Sequence, residues 1–379
     1  MLKTALHDRH RALGAKMTDF HSWDMPLYYT SILEEHRAVR EALGVFDISH
    51  MGQVLVAGPD AVRTLNALMV SDISQVAQGR ACYTLMLNEQ GGIIDDLIIY
   101  RLGESEFLVI VNCGNRAVDV AWLAGHVEGQ TTVTDISEGR SILAVQGPRS
   151  SRVLEEILDA KVAGLGKFCI APIRTMGPDA CLARTGYTGS DGFELFLPDR
   201  HALRVWDAVL SMAKPLGARP VGLGARDTLR IEAGLRLYGT DMDAATSPIE
   251  VGLEWTVAMN KPAFIGKNVL VTQQQDGVAR KFIGFELSQG PVPRTGMELA
   301  VDGRRIGMVT SGTFSPILAK PLGMGYVEPA YTKPGTTLTL TVRNQRHHAT
   351  VVKLPFWKGD AKTQAALTSP AAPTRERLT

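Results

Sequence analysis

Residues 91–100 read Gly-Gly-Ile-Ile-Asp-Asp-Leu-Ile-Ile-Tyr, so two adjacent carboxylates lie inside an apolar run. The apolar runs 81–87 and 93–102 are separated by a glycine-containing turn at 88–92, and a third run follows at 106–111; together they predict a β-meander. Because successive side chains of a strand point to opposite faces, Asp95 and Asp96 cannot both face one cavity. We expect one carboxylate to be functional and the other to be solvated or structural. An Asp that ties down the turn or pairs with an arginine is an equally weighted alternative.

Outward from this stretch, helical and strand patterns alternate, as in an α+β protein. Apolar residues at helical spacing predict helices at 31–43, 59–69, 118–126, 150–158, 201–213 and 225–232. The glutamine-rich stretch 273–277 predicts a linker. Beyond it, short β-like runs punctuated by glycine and proline over 282–352 predict a small barrel or sandwich.

The composition limits the class of protein. The chain has 379 residues and a net charge of +1 at pH 7. Single cores stop growing at roughly 250–300 residues, so this length predicts two or three domains. The balanced charge argues against nucleic acid or a membrane surface as a partner. The four cysteines form no C-x-x-C pair, no apolar run approaches the ~20 residues of a membrane span, and the first residues are charged. We therefore expect a reduced, cytoplasmic location without membrane attachment.

The segment 184–194 combines glycine with a carboxylate. It contains three glycines in seven residues and ends on Glu194, which has apolar neighbours. The spacing matches neither a dinucleotide fingerprint nor a phosphate-binding loop. Glycine density permits close approach of a ligand to the backbone, although glycine count alone favours a plain hairpin.

The segment 222–234 carries two arginines at helical spacing. Arg226 and Arg230 are four residues apart and therefore share one helix face, where they suit recognition of a carboxylate. A salt bridge with Asp227 or Glu232 is the alternative, and it is the commoner outcome for surface arginines.

Motifs of covalent and metal catalysis are missing from the sequence. It has no H-E-x-x-H, no G-x-S-x-G and no cysteine with a histidine partner pattern. For His50, the histidine nearest the candidate residues, we expect a hydrogen-bonded structural role. What remains is a cavity with one or two carboxylates and an arginine, which suits a nitrogen-rich, acidic ligand.

A series of short motifs spans the chain from residue 6 to residue 356. The motifs are FDISHMG at 46–52, YT at 83–84, GGIIDDL at 91–97, VN at 111–112, QGP at 146–148, GYTGSDGFE at 186–194, GARDTLRIEAG at 224–234, PIE at 248–250, FIGK at 264–267 and MGY at 324–326. This series resembles the aminomethyltransferase family, the T-protein of the glycine cleavage system. Each motif is weak alone, but the ordered series is highly specific.

The resemblance implies a fold and a division into domains. In this family the chain forms a three-domain cloverleaf around a central folate-binding hole, and the C-terminal domain is a small β-barrel. The predicted domains are a first α+β domain from 1–52 and 137–233, a second α+β domain from 53–136 and 234–276, a barrel from 279–360, and a flexible tail from 361–379.

The resemblance also implies a site. Asp96 matches the catalytic carboxylate near N10 of the folate, Glu194 the acid that binds the pterin, and Arg226 the binding arginine. The positions that line the folate pocket are matched by Met51, Tyr83, Asn112 and Tyr187. No metal is implied. Where family members carry a folate-contacting tyrosine near the C-terminus, this chain has Trp357, so that contact is either lost or supplied by Trp357.

The implied reaction uses tetrahydrofolate as co-substrate and lipoylated H-protein as partner. The carbon of the aminomethyl group on the H-protein's dihydrolipoyl arm passes to tetrahydrofolate, which gives 5,10-methylenetetrahydrofolate and ammonia. Two alternatives share the folate half of the site: a folate-dependent demethylase of a small methylated substrate and a non-catalytic folate-binding protein. A related protein of iron–sulfur cluster maintenance carries a cysteine motif, and 222–234 has no cysteine.

Overall fold

The structure is a computed structural model that describes residues 1–343 and 345–359. The predicted flexible tail, 361–379, lies outside the described residues. Every helix within the described part is too short or too polar to cross a membrane.

Helices and strands alternate along the chain, in keeping with the predicted α+β class. The described α-helices are α1 (His7–Ala12), α2 (Ile32–Glu41), α3 (Ala61–Leu68), α4 (Arg116–Gly125), α5 (Ser150–Leu158), α6 (Asp199–Ala213), α7 (Leu223–Glu232) and α8 (Lys267–Asp276). The described strands are β1 (Lys16–Phe20), β2 (Trp23–Tyr28), β3 (Gly44–Asp47), β4 (Gly52–Ala57), β5 (Ala81–Leu87), β6 (Ile93–Arg101), β7 (Glu106–Val111), β8 (Thr132–Asp135), β9 (Arg140–Gln146), β10 (Ile170–Pro172), β11 (Cys181–Ala183), β12 (Gly192–Pro198), β13 (Arg219–Pro220), β14 (Lys281–Glu286), β15 (Glu298–Val301), β16 (Arg304–Ser315), β17 (Lys320–Val327), β18 (Thr337–Val342) and β19 (Gln345–Val352).

A five-stranded antiparallel sheet has the order β5-β6-β7-β4-β8. The predicted meander is confirmed, since β5, β6 and β7 are consecutive neighbours in it. The alternation of β6 puts Leu97 and Ile99 into the core under α3 and α4, where they pack with Leu65 and Leu123. Ile98 between them and Tyr100 after them face the other way, toward the second sheet.

A six-stranded sheet has the order β10-β11-β12-β9-β3-β13, and only β3 and β13 pair in parallel. The helices α5 and α6 cover one face, because the alternating residues Phe193, Leu195 and Leu197 of β12 bury against the stripe that includes Trp206. The intervening residue Phe196 lies on the opposite face.

The uncovered faces of the two sheets meet. Tyr100, Leu108 and Ile110 of the five-stranded sheet join one buried cluster with Ile142 and Phe196 of the six-stranded sheet. At this interface apolar side chains from both sheets are removed from contact with water, and each one that is fully buried contributes about 1.5–3 kcal/mol to the stability of the fold. The interface positions β6 and β12 opposite each other, which brings their polar residues toward one cavity.

The C-terminal strands form a closed barrel in the order β14-β17-β16-β15-β18-β19. The prediction of a barrel or sandwich over 282–352 is thus confirmed as a barrel. The predicted linker at 273–277 is wrong in its first four residues, since Gln273–Asp276 form the last turn of α8 and the connection is 277–280. Glutamine is a good helix former, so a polar run without apolar periodicity still completes a helix.

The barrel is joined to α7 by hydrogen bonds to a buried ion pair. The guanidinium of Arg230 binds Asp241, and its second nitrogen donates to Ser311 Oγ of β16 at 2.8 Å. A buried arginine needs such partners, because an unpaired buried charge is costly. We propose that the predicted domain boundaries follow the three large sheets, each of which forms the centre of one domain.

Candidate active site

A cavity opens between the two large sheets and the loop after α7. It encloses about 1180 Å³ together with its open mouth. Its walls include all seven side chains predicted for the site, namely Met51, Tyr83, Asp96, Asn112, Tyr187, Glu194 and Arg226. Residues separated by up to 175 positions in the sequence therefore share one space.

Asp96 projects from β6 into the cavity between two donors. Tyr83 donates its hydroxyl to Oδ2 at 3.0 Å, and Asn112 donates Nδ2 to Oδ1 at 2.9 Å. Burial disfavours the charged carboxylate, and the neighbouring Asp95 adds like-charge repulsion, so that the pKa of Asp96 rises to about 7. A carboxyl group with such a pKa can exchange a proton near neutral pH.

Asp95 points to the other face of β6 and has no exposed surface. Its carboxylate accepts hydrogen bonds from Asn112 N at 2.9 Å, from Asn112 Nδ2 at 2.8 Å and from Asn115 Nδ2 at 3.1 Å. The sequence argument that only one of the two carboxylates faces the cavity is confirmed. The other is structural and not solvated, because its strand face lies against α4 and not against water.

Glu194 lies across the cavity on β12 and is nearly fully buried. Its Oε2 accepts hydrogen bonds from Thr185 at 2.5 Å and from Tyr100 at 3.2 Å. Burial raises the pKa of Glu194, and these hydroxyl donors and the charge of Arg226 oppose that rise. Both hydroxyls bind the same oxygen, which leaves the second carboxylate oxygen, Oε1, to bind a ligand in the cavity.

Arg226 and Arg230 lie on one helix but have different partners. The guanidinium of Arg226 lies 4.6 Å from the ring centroid of Tyr187 and faces the cavity. Arg230 forms the salt bridge that the sequence left open, with Asp227 at 2.8 Å. The fixed cation of Arg226 is thus available to an acidic ligand, whereas the cation of Arg230 is neutralised within the protein.

Sequence reasoning missed an aromatic residue at the mouth of the cavity. Trp255 is 70% exposed, and its ring stacks on Tyr83 with the centroids 6.0 Å apart and the planes at 24°. An exposed tryptophan beside a cavity is a common feature of ligand-binding sites. Arg236 and Tyr238, in the loop after α7, also line the cavity without having been predicted. The only signal for these three was their position after the glycine that ends the 222–234 motif.

Two expectations require correction. The hydrogen-bonded role expected for His50 is wrong at Nδ1, which is buried and has no partner among the described residues. Burial, together with the charge of Arg226, lowers the pKa of His50 to about 3, so the ring is neutral. Trp357 does not line the cavity; its ring lies under the guanidinium of Arg40, 3.8 Å from the centroid. The chain has passed the cavity by that point, since Trp357 N binds the carbonyl of Glu232.

Two family models together cover most of the chain. Residues 6–261 match the GCVT N-terminal domain, and residues 280–358 match the glycine cleavage T-protein C-terminal barrel domain. The chain belongs to the glycine cleavage T-protein family.

Curated relatives in this family share more than two fifths of the sequence. An aminomethyltransferase from Halothermothrix orenii is 43% identical over 94% of this chain and 100% of the relative. An aminomethyltransferase from Thermotoga maritima is 42% identical over 96% of this chain and 100% of the relative. The crystal structure of the glycine cleavage system aminomethyltransferase T from Bartonella henselae matches with a TM-score of 0.90 and 35% identity, over 94% of this chain and 98% of that one.

These comparisons confirm the family, the fold and the class of enzyme predicted from the motif series. The predicted activity, aminomethyl transfer in the glycine cleavage system, is confirmed, and neither a demethylase nor a non-catalytic binding protein is favoured. The family uses tetrahydrofolate as a substrate. Within residues 1–343 and 345–359, no group of three or more His, Cys, Asp or Glu side chains is arranged to hold a metal ion.

Proposed function

We propose that the cavity binds tetrahydrofolate and that Asp96 acts on the carbon delivered to it from the lipoylated H-protein. The observation that carries the proposal is the pair of buried carboxylates, Asp96 and Glu194, on opposite walls of one cavity. The positively charged Arg226 lines the same cavity. The sequence predicts a cytoplasmic location for this reaction.

The binding roles follow from the chemistry of the ligand. A pterin presents adjacent N–H donors on one edge, and a single carboxylate accepts both, so Glu194 supplies orientation as well as affinity. Thr185 and Tyr100 hold the Glu194 carboxylate in place. Arg226 supplies a fixed positive charge for a ligand that carries carboxylates.

The transfer balances without an oxidant or a reductant. The carbon of the aminomethyl group loses its bonds to nitrogen and to sulfur, and it forms new bonds to N5 and N10 of tetrahydrofolate. The two N–H protons of the folate leave with ammonia and with the thiol of the lipoyl arm. Cationic iminium species form on the way, and a fixed anion in a poorly hydrated cavity stabilises them far more than one in water.

Asp96 combines two roles in this scheme. As an anion it stabilises the developing cation, and as a base with a pKa of about 7 it accepts a proton from N10 at ring closure. General acid–base help is typically worth ~10²–10⁴-fold. Holding N5 and N10 against the delivered carbon is worth about 7–11 kcal/mol in favourable cases, so positioning dominates the rate enhancement.

The direct test supplies the purified protein with tetrahydrofolate and aminomethylated H-protein and measures ammonia and 5,10-methylenetetrahydrofolate. We expect both products in equal amounts, because each turnover releases one of each. Product formation from a small methylated amine but not from the loaded H-protein would contradict the proposal and support a demethylase. Tight folate binding without turnover on either donor would support a binding protein.

A further inference from the structure

The stacked ring pair at the cavity mouth joins two distant parts of the chain. Tyr83 lies on β5, whereas Trp255 lies in residues 254–261, which we call the mouth loop. The mouth loop forms one short 3-10 turn, Glu254–Thr256, and otherwise no helix or strand. Most of the Trp255 surface is exposed, so few contacts of its own hold the ring. Its position over Tyr83 therefore depends on how the backbone of the mouth loop is held.

Two residues after α3, Val70 and Ser71, lie between the mouth loop and β5. On one side, Val70 N donates to Leu85 O of β5 at 3.0 Å. On the other side, Val70 O accepts from Ala258 N at 2.9 Å, and Ser71 Oγ donates to Thr256 O at 2.8 Å. These hydrogen bonds set the distance between the mouth loop and the strand on which the partner ring stands.

Lys261 ties the end of the mouth loop to the end of α3. Its side chain is buried, and Nζ donates to the carbonyl oxygens of Asn66, Met69 and Ser71 at 2.5, 2.6 and 3.0 Å. The helical partner of Asn66 O would be Val70 N, which binds β5 instead, so the last turn of α3 needs another donor. An ammonium group supplies three donors and a positive charge at the negative end of the helix dipole.

We propose that Lys261 and Ser71 are positioning residues for folate binding: they hold the mouth loop where Trp255 stacks on Tyr83. This inference rests on the function proposed above, in which the cavity binds tetrahydrofolate. Lys261 and Ser71 are not among the residues that line the cavity, so they act through the ring and not by touching the ligand. A ring that is already held in place loses less conformational freedom when a ligand packs on it, and such preorganisation raises affinity.

Two substitutions weaken this anchor to different degrees. Lys261→Met keeps a long side chain and removes all three donors, which leaves buried carbonyl groups unpaired and also lowers stability. Ser71→Ala removes one hydroxyl group, so only the carbonyl of Thr256 loses a donor and the fold is retained. Leu338→Ala is the matched control, because it leaves a hole in the core of the barrel and destabilises the protein without changing the mouth loop.

The first experiment measures the Kd of tetrahydrofolate by calorimetry, and kcat at saturating folate, for each full-length variant. We expect Kd to rise by about three- to tenfold in Lys261→Met and by about threefold in Ser71→Ala, with kcat within about threefold of wild type. Leu338→Ala should leave Kd unchanged. An unchanged Kd in the anchor variants would overturn the proposal, and Ser71→Ala remains decisive if Lys261→Met does not fold.

Trp255→Ala tests whether the anchor acts through the ring. Once the ring is absent, adding Lys261→Met or Ser71→Ala should weaken folate binding by less than about twofold further, because residues that act as one unit are not additive. The same fold-loss with and without the ring would show that Lys261 and Ser71 only stabilise the fold, and it would overturn the proposal.

Fluorine NMR reports on the ring without a ligand. The chain has five tryptophans, so protein labelled with 5-fluorotryptophan gives five resonances, and the one lost in Trp255→Phe belongs to Trp255. We expect this resonance to shift and sharpen in both anchor variants, since a ring released from its stack moves faster, and to stay in place in Leu338→Ala. An unmoved resonance would overturn the proposal. If the resonance moves but wild type does not bind folate, the proposed function fails and the anchoring of Trp255 stands.

Discussion

Replacement of Asp96 by asparagine removes one charge from the cavity wall while leaving its hydrogen bonds intact. The amide oxygen can accept from Asn112 Nδ2, as Oδ1 does at 2.9 Å, and the amide nitrogen can donate to Tyr83, whose hydroxyl rotates to become the acceptor. Both Asn112 Nδ2 and the Tyr83 oxygen keep a hydrogen-bond partner, and only the Tyr83 O–H hydrogen must find a new acceptor in the cavity, so we expect Asp96→Asn to fold and to bind folate.

The size of the effect on turnover follows from the two roles of the carboxylate. Loss of general acid–base help alone predicts a fall of ~10²–10⁴-fold in kcat, which equals about 3–5 kcal/mol in the activation free energy. Wild-type turnover should rise with pH through about 7 as Asp96 ionises, and the residual turnover of the variant should lack this acid limb.

Asp96→Asn should lower turnover but should not lower the stability of the folded protein above neutral pH. Burial raises the pKa of Asp96 from 3.8 to about 7, so ionising this group in the folded protein costs up to about 4 kcal/mol. A raised carboxyl pKa means that the folded state binds more protons than the unfolded state between these values, so stability falls as the pH rises from about 4 to about 7. We expect the variant to lose less stability over that window and to be at least as stable as wild type at pH 8.

The assay compares kcat, folate affinity by calorimetry and urea unfolding for wild type, Asp96→Asn and Asp159→Asn. Asp159 is an exposed residue in the left-handed conformation after α5, which asparagine also adopts readily, so this control removes one negative charge far from the cavity. The reasoning is refuted if Asp96→Asn retains turnover within about threefold of the control. It is also refuted if folate affinity falls as much as kcat does.

Three further predictions concern the walls of the cavity and its support. Glu194→Gln replaces the acceptor that faces the pterin with a donor, and calorimetry should show folate binding weakened by about 2 kcal/mol, or about thirtyfold in Kd; an unchanged Kd would remove Glu194 from the binding site. Trp255→Ala loses the stacked ring over Tyr83 and should weaken folate binding by about 0.5–1.5 kcal/mol, with unfolding by urea unaffected. Arg230→Met leaves the buried charge of Asp241 without its cation, although hydrogen bonds from Thr310 and Ser311 remain, and should lower the free energy of unfolding by about 3–5 kcal/mol in urea titrations; an unchanged midpoint would show that the pair is not needed for stability.

Local patterns were sufficient for the parts of the fold that depend on neighbours in sequence. The alternation along β6 separates Asp95 from Asp96 because strand geometry has a period of two, and this is true whatever the strand packs against. The three strands of the meander were predicted within a residue for the same reason, since each is bounded by turn residues.

Patterns failed where a distant contact decides the outcome. Nothing near Trp255 in sequence indicates that its ring stacks on Tyr83, about 170 positions away. Arg226 and Arg230 lie on the same face of α7, so helix periodicity does not distinguish them. Only the tertiary position of Asp241 shows that Arg230 forms a structural ion pair, whereas Arg226 lines the cavity. All of α8 was missed because its side chains carry no clear apolar stripe, although the helix propensity of its glutamines is good.

Trp255, at the mouth of the cavity, also provides an intrinsic fluorescence signal for ligand binding. Indole emission shifts with the polarity around it, and Trp255 is 70% exposed before a ligand arrives, whereas Trp206 is sealed in the core under α6. A ligand that fills the cavity will exclude water from Trp255 and leave the surroundings of Trp206 unchanged. Folate entry can therefore be timed in a stopped-flow instrument without any label, at a position that the chemistry itself does not touch.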